Sequence, residues 1–144
     1  MYYDIKAHVL FGASAIQMKY DYVQNLDCMS NYKLVEWKGA FGVRPIVCCE
    51  AWTMIHSQAE CMNITITHFY WALYWMRTYQ TEVQCARNLR TNPKTLREKY
   101  KAVLLLLSRN IHRVVSNKNE IISIQFQMCY HNTNLYAFVI LILI

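Results

Sequence analysis

Lys94, Arg97, Lys99 and Lys101 follow directly on Asn92-Pro93, inside a stretch from Arg77 to Lys118 that is unusually rich in cations. Arg77, Arg87, Arg90, Arg109, Arg113 and Lys118 complete the set, and only Glu82 and Glu98 oppose them. The stretch therefore holds ten basic and two acidic residues, whereas the formal net charge of the whole chain is only +6. Guanidinium and ammonium groups at this density are the electrostatic footprint of a phosphate-backbone partner. No competing chemistry stands out. There is no G-x-S-x-G, Walker loop, H-E-x-x-H or G-x-G-x-x-G. The five histidines, His8, His56, His68, His112 and His131, are scattered, and each reads as a surface or satisfied core residue.

The elements that must position these cations are helical. Thr81-Glu82-Val83-Gln84 fits a capping box that starts a helix reaching about Leu89. Arg90 and Thr91 form a short connection. Asn92 then caps a second helix and Pro93 takes its first position, where a missing N–H does no harm. Leu96, Tyr100, Val103 and Leu107 recur at helical spacing to about Ser108, leaving Lys94, Arg97, Glu98 and Lys101 on a different face. Two helices and a short turn, the second basic outside, make a helix-turn-helix, whose second helix presents its N-terminal residues to the major groove.

Each residue then has an expected task. Arg97 and Lys94 donate to guanine acceptors, Glu98 accepts from a cytosine amine, and Asn92 or Thr95 reaches phosphate or adenine. Arg87, Arg90, Lys99 and Lys101 hold the backbone, with Thr91 at the turn between them, and Arg109 and Arg113 extend the charge. The same pattern also describes a solvated basic helix in a small bundle.

Upstream, Gly39 to Val43 reads as a turn and Pro45 opens a helix to about Gln58, with Val47 or Cys48, Ala51 or Trp52, and Ile55 turned inward. A further helix from Thr67 through Met76 is aromatic almost all round, which fits a central buried position. A base-stacking platform of Trp71 and Trp75 is the functional alternative. Residues 1–38 carry only a weak helical spacing. After Asn119, Ile122, Ile124, Phe126 and Met128 alternate with polar residues as in a half-buried strand, and Leu135 to Ile144 could return as a second.

The 144 residues, 55% apolar with three glycines and two prolines, favour helices over a many-stranded sandwich. The expected fold is all-α, a small helical bundle with a helix-turn-helix and a short β-like or irregular hydrophobic C-terminal tail. Its parts are an N-terminal segment 1–38, a helical domain 39–115 and a tail 116–144. Cys28, Cys48, Cys49, Cys61, Cys85 and Cys129 form no C-x-x-C pair and read as buried reduced thiols rather than disulfide or zinc ligands. No signal peptide is expected, and the apolar end is too short for a membrane span.

Gly39-Ala40-Phe41-Gly42-Val43-Arg44-Pro45, His68-Phe69-Tyr70-Trp71-Ala72-Leu73-Tyr74, Tyr79-Gln80-Thr81-Glu82 and Asn92-Pro93-Lys94-Thr95-Leu96-Arg97 together resemble the N-terminal helix-turn-helix region of Harbinger-like DDE-type transposases. The resemblance covers residues 39–109 and implies a DNA-binding module of a transposase or a domesticated relative. Arg44 replaces a usual capping Ser, and Tyr100 replaces a frequent Trp. That family continues into a ribonuclease-H-like domain whose first strand supplies a metal-binding Asp. Gln125 would stand at that position, and an amide is a poor ligand for a hard divalent cation.

The combined expectation is double-stranded DNA as partner, no catalysis, no cofactor or metal, no small-molecule substrate, and a nuclear or otherwise intracellular location. Two alternatives stay open. One is a protein-interaction module that forms homo-oligomers through Leu135–Ile144. The other is a truncated, non-functional transposase-derived fragment.

Overall fold

A computed structural model describes residues 5–16, 31–116, 122–131 and 134–143. Six helices come first: α1 (Ile5–Ala15), α2 (Asn31–Phe41), α3 (Pro45–Cys61), α4 (Ile66–Thr78), α5 (Glu82–Asn88) and α6 (Pro93–Ser116). An antiparallel pair follows, β1 (Ile122–His131) and β2 (Asn134–Leu143). The fold is thus a small all-α bundle with a β-hairpin tail. Register sets Ser123, Gln125 and Gln127 opposite Ile142, Ile140 and Phe138. These three polar residues of β1 are therefore each paired with an apolar residue of β2.

The aromatic segment is the centre of the bundle. α4 packs against α1, α2, α3 and α6. Phe69, Tyr70, Ala72 and Leu73 are buried, as a helix apolar on most sides requires. Trp37 and Phe41 meet the Tyr70 ring edge-on, and Trp52 tilts against Phe69. Offset and edge contacts of this kind suit the ring quadrupoles. α1 comes so close that a side chain on Gly12 would collide with the Trp37 indole. His8 of α1 is buried and bonds the Tyr70 hydroxyl through Nδ1 at 2.8 Å.

Local chemistry explains the helix ends. α2 runs through Gly39 and Ala40, so the turn expected over Gly39 to Val43 shrinks to its last two residues. Gly42, at φ +80°, closes the helix by donating to the Lys38 carbonyl at 2.8 Å. The boundary expected between residues 38 and 39 falls inside α2, and Val9, Ala15 and Trp37 join the same core as residues 43–107. Sparse turn residues in 1–38 leave this packing without a local signal.

Pro45 starts α3 as expected, but Arg44 offers no side-chain cap. The predicted inward residues Val47, Cys48, Ala51, Trp52 and Ile55 are all buried. α3 ends with Asn63 in the left-handed region and Ile64 donating to the Ala59 carbonyl, a closure that tucks the Ile64 side chain under the helix. α4 begins at Ile66 rather than Thr67. The backbone N–H of Thr65 donates to Nδ1 of His68 three residues on, so His68 takes the part usually played by Glu or Gln. Burial and then the Lys99 charge hold the His68 imidazole below its usual pKa, which preserves Nδ1 as an acceptor.

α6 continues eight residues beyond Ser108, to Ser116. No glycine or proline interrupts it there. Asn110, facing the core, is satisfied by donating to the Leu106 carbonyl and to Gln58 Oε1. At 24 residues α6 is about 36 Å long, so it spans the bundle.

Candidate nucleic-acid interface

The helix pair α5–α6 forms where the capping residues place it, and its joint is built from specific hydrogen bonds. Thr81 caps α5 by accepting from the Gln84 N–H at 3.3 Å. Gln84 does not complete the reciprocal box; its side chain donates to Asn88 Oδ1 instead. At the other end, Thr91 N–H donates to the Ala86 carbonyl at 2.9 Å, wrapping the chain around Arg90. Arg90 itself adopts φ 51°. A β-carbon in this left-handed region costs about 1–2 kcal/mol, and turns of this type often place Gly there. Asn92 then caps α6, its Oδ1 accepting the Lys94 N–H at 2.8 Å.

Leu96, Tyr100 and Val103 are fully buried and Leu107 nearly so, the stripe predicted from spacing alone, to which the structure adds Leu106 and Asn110. Opposite that stripe, Lys94, Thr95, Glu98, Lys101 and Arg109 are exposed, as are Arg87 and Arg90 before the turn. Thr91 is half-buried, and Asn92 is exposed but commits its oxygen to the cap. The cationic side of α6 therefore points to solvent, with the core side chains beneath. The Arg113 side chain and Lys118 lie outside the described residues.

Lys99 and Arg97, both expected on DNA, are engaged within the protein, as is the side chain of Asn92. Lys99, expected on the phosphate backbone, is half-buried, and its Nζ donates at 2.9 Å to the carbonyl of Asn63, in the α3–α4 turn. Asn63 is left-handed, so its carbonyl is turned outward to meet that ammonium. Arg97, expected to read guanine, reaches sideways to Glu82 at the start of α5. Nε donates to Oε2 at 2.7 Å, and Nη2 bonds the same oxygen. The Tyr100 hydroxyl donates to the other oxygen, Oε1, at 2.5 Å. Burial alone would raise the Glu82 pKa. Hydrogen bonds from Arg97 and Tyr100, with the charges of Arg97 and Lys101, outweigh it and hold the carboxyl below its usual range.

Sequence reasoning misses this carboxylate. The available signal is its isolation: Glu82 is one of only two acids among ten cations, and it sits in the first helical turn, where the helix dipole favours an anion.

The tryptophans do not form a stacking platform. Trp75 lies parallel to Tyr100, with ring centroids 4.0 Å apart and planes 10° from each other. Trp71 is half-buried, donates from Nε1 to the Ala15 carbonyl, and meets His68 edge-on. Both indoles are used to fasten helices together.

Among the described residues no group of three or more His, Cys, Asp or Glu could hold a metal ion, and no helix is long and apolar enough to cross a membrane. Cys48, Cys49, Cys61 and Cys85 are free thiols, and Cys61 is exposed rather than buried because it closes α3 at the surface. Gln125 lies on β1, paired with Ile140. No known protein family, curated protein or solved structure matches the chain.

Proposed function

We propose that the α5–α6 pair is a DNA-binding helix-turn-helix, with α6 as the helix that enters the major groove. The observation that carries this reading is the two-sidedness of α6: Leu96, Tyr100 and Val103 are fully buried, while Lys94, Glu98 and Lys101 are exposed on the opposite side. Arg87, Arg90 and Lys101 neutralise phosphates on either side of the groove, and the first turn of α6 adds its oriented N–H groups. Lys94, Thr95 and Glu98 meet the base edges. The module resembles the corresponding region of Harbinger-like transposases, and in this reading it recognises DNA without cutting or joining it. Such a partner implies a working place in the nucleus or elsewhere inside the cell.

Selection of binding sites from random duplexes tests this. Enrichment of a short motif supports the reading. Absence of any retarded complex in a gel shift at low salt refutes it.

A second reading rests on the β1–β2 pair, whose order gives each strand only one neighbour among the described residues. An apolar strand with an open edge recruits another strand. In this reading β2 pairs with β2 of a second copy, and the two readings are compatible. Light scattering on a chain lacking residues 135–144 decides it: an unchanged oligomeric state rejects strand-mediated assembly.

A further inference from the structure

The bond between Arg97 and Glu82 bears on how many DNA phosphates the helix pair engages. The Arg97 side chain is about half exposed, at 51%, so solvent position alone would leave its cation open to DNA. Its donors, however, are directed to an oxyanion inside the protein. Nε and Nη2 both bond Oε2 of Glu82, and a guanidinium presents the same donors to phosphate. Glu82 cannot follow Arg97 outward. It is itself only 20% exposed, and its second oxygen is held by the Tyr100 hydroxyl, whose ring is stacked on Trp75.

We infer that Glu82 withholds Arg97 from the DNA: it is a positioning residue that fixes α5 against α6 and lowers by one the number of phosphates this face neutralises. This role rests on the DNA-binding function proposed for the pair. A phosphate that takes Arg97 must first displace a carboxylate anchored to the bundle. Lys94 and Lys101 are exposed on the outer face of α6.

The test is the slope of log binding constant against log salt, measured on one duplex for the wild type and for E82Q, R97Q and the E82Q/R97Q double variant. E36Q, an equal charge change at the exposed Glu36 of α2, is the control for net charge. Each phosphate neutralised adds about 0.9 to the slope. E82Q is expected to steepen it by about that amount and E36Q to leave it unchanged. R97Q alone is expected to leave the slope unchanged, and in the E82Q background to return it to the wild-type value. A slope that flattens by about 0.9 in R97Q alone overturns the inference, because Arg97 would already be on a phosphate. An unchanged slope in folded E82Q overturns it too. If E82Q does not fold, the R97Q comparison still decides. A wild-type chain that binds no duplex removes the DNA-binding function itself, an outcome distinct from either of these.

Discussion

Arg97 lies against the carboxylate of Glu82, its Nε donating to Oε2 at 2.7 Å, so the second turn of α6 is tied to the first residue of α5. Tyr100 completes the tie from beneath, with its hydroxyl on Oε1 and its ring on Trp75 of α4. Three helices thus meet at one carboxylate and one phenol.

Tyr100→Phe isolates the hydroxyl. The ring and its stacking survive, while a hydrogen bond to a charged group is lost. We expect a loss of about 1.5–3 kcal/mol in urea unfolding. A loss near zero would show that the Glu82–Tyr100 bond contributes nothing net.

The same carboxylate sets an acid limit. Burial acts to raise its folded pKa, but Arg97 and Tyr100 prevail and hold it below the ordinary value of 4.5. For a depressed carboxyl the stabilisation is complete above the unfolded pKa and disappears as pH falls through the folded pKa. Unfolding followed from pH 6 to about pH 3 should show the wild type and E82Q converging as the pH drops below 4.5. A constant gap across that range would contradict the assignment.

Arg44 stands at the N-cap of α3 with extended backbone, and its side chain caps nothing. Arg44→Ser supplies an acceptor for the free N–H groups of that first turn. The expected gain is about 1 kcal/mol, seen as a melting temperature raised by roughly 4 °C. A lowered melting temperature would mean that Arg44 has a structural role that its missing cap bond conceals.

Arg90→Gly separates stability from binding at a single position. Glycine adopts φ 51° without penalty, so stability should rise by about 1 kcal/mol. Loss of the cation should at the same time weaken every duplex sequence alike. Tighter binding, or binding weakened for one sequence only, would count against a backbone contact.

Thiol chemistry checks the core directly. Burial pushes the Cys48 thiol up to about 12 and the Cys85 thiol to about 11, whereas Cys61 is exposed. Only the thiolate reacts. Mass spectrometry after alkylation of the folded chain should show Cys61 modified well before Cys48 and Cys85. Simultaneous labelling of all three would mean that α3 and α5 do not pack as described.

Much of this fold is legible in local patterns. Pro45, Thr81 and Asn92-Pro93 mark helix starts, and the Leu96–Tyr100–Val103–Leu107 spacing names the buried side of α6. What is not legible is long-range. Nothing near Gly12 reveals that Trp37 passes over it, and nothing near Lys99 reveals the turned carbonyl of Asn63. Arg97 shows the difficulty best. Its sequence neighbours make it a base reader, but its partner lies fifteen residues back, at the start of another helix. Charge along the sequence locates the candidate face and cannot tell which of its cations are already engaged.

DNA binding by the outward cations of α6 is open to a single titration. Fluorescence anisotropy of a labelled duplex, followed across a range of salt, compares the wild type with a K94Q/K101Q double variant. Log affinity should fall linearly with log salt, and the double variant should have a slope shallower by about 0.9, the phosphate contact of Lys101, and a weakened preference between sequences from the loss of Lys94 at the base edges. Equal slopes and an unchanged sequence preference for the two proteins, or no binding by the wild type at low salt, would contradict a DNA-facing role for Lys94 and Lys101.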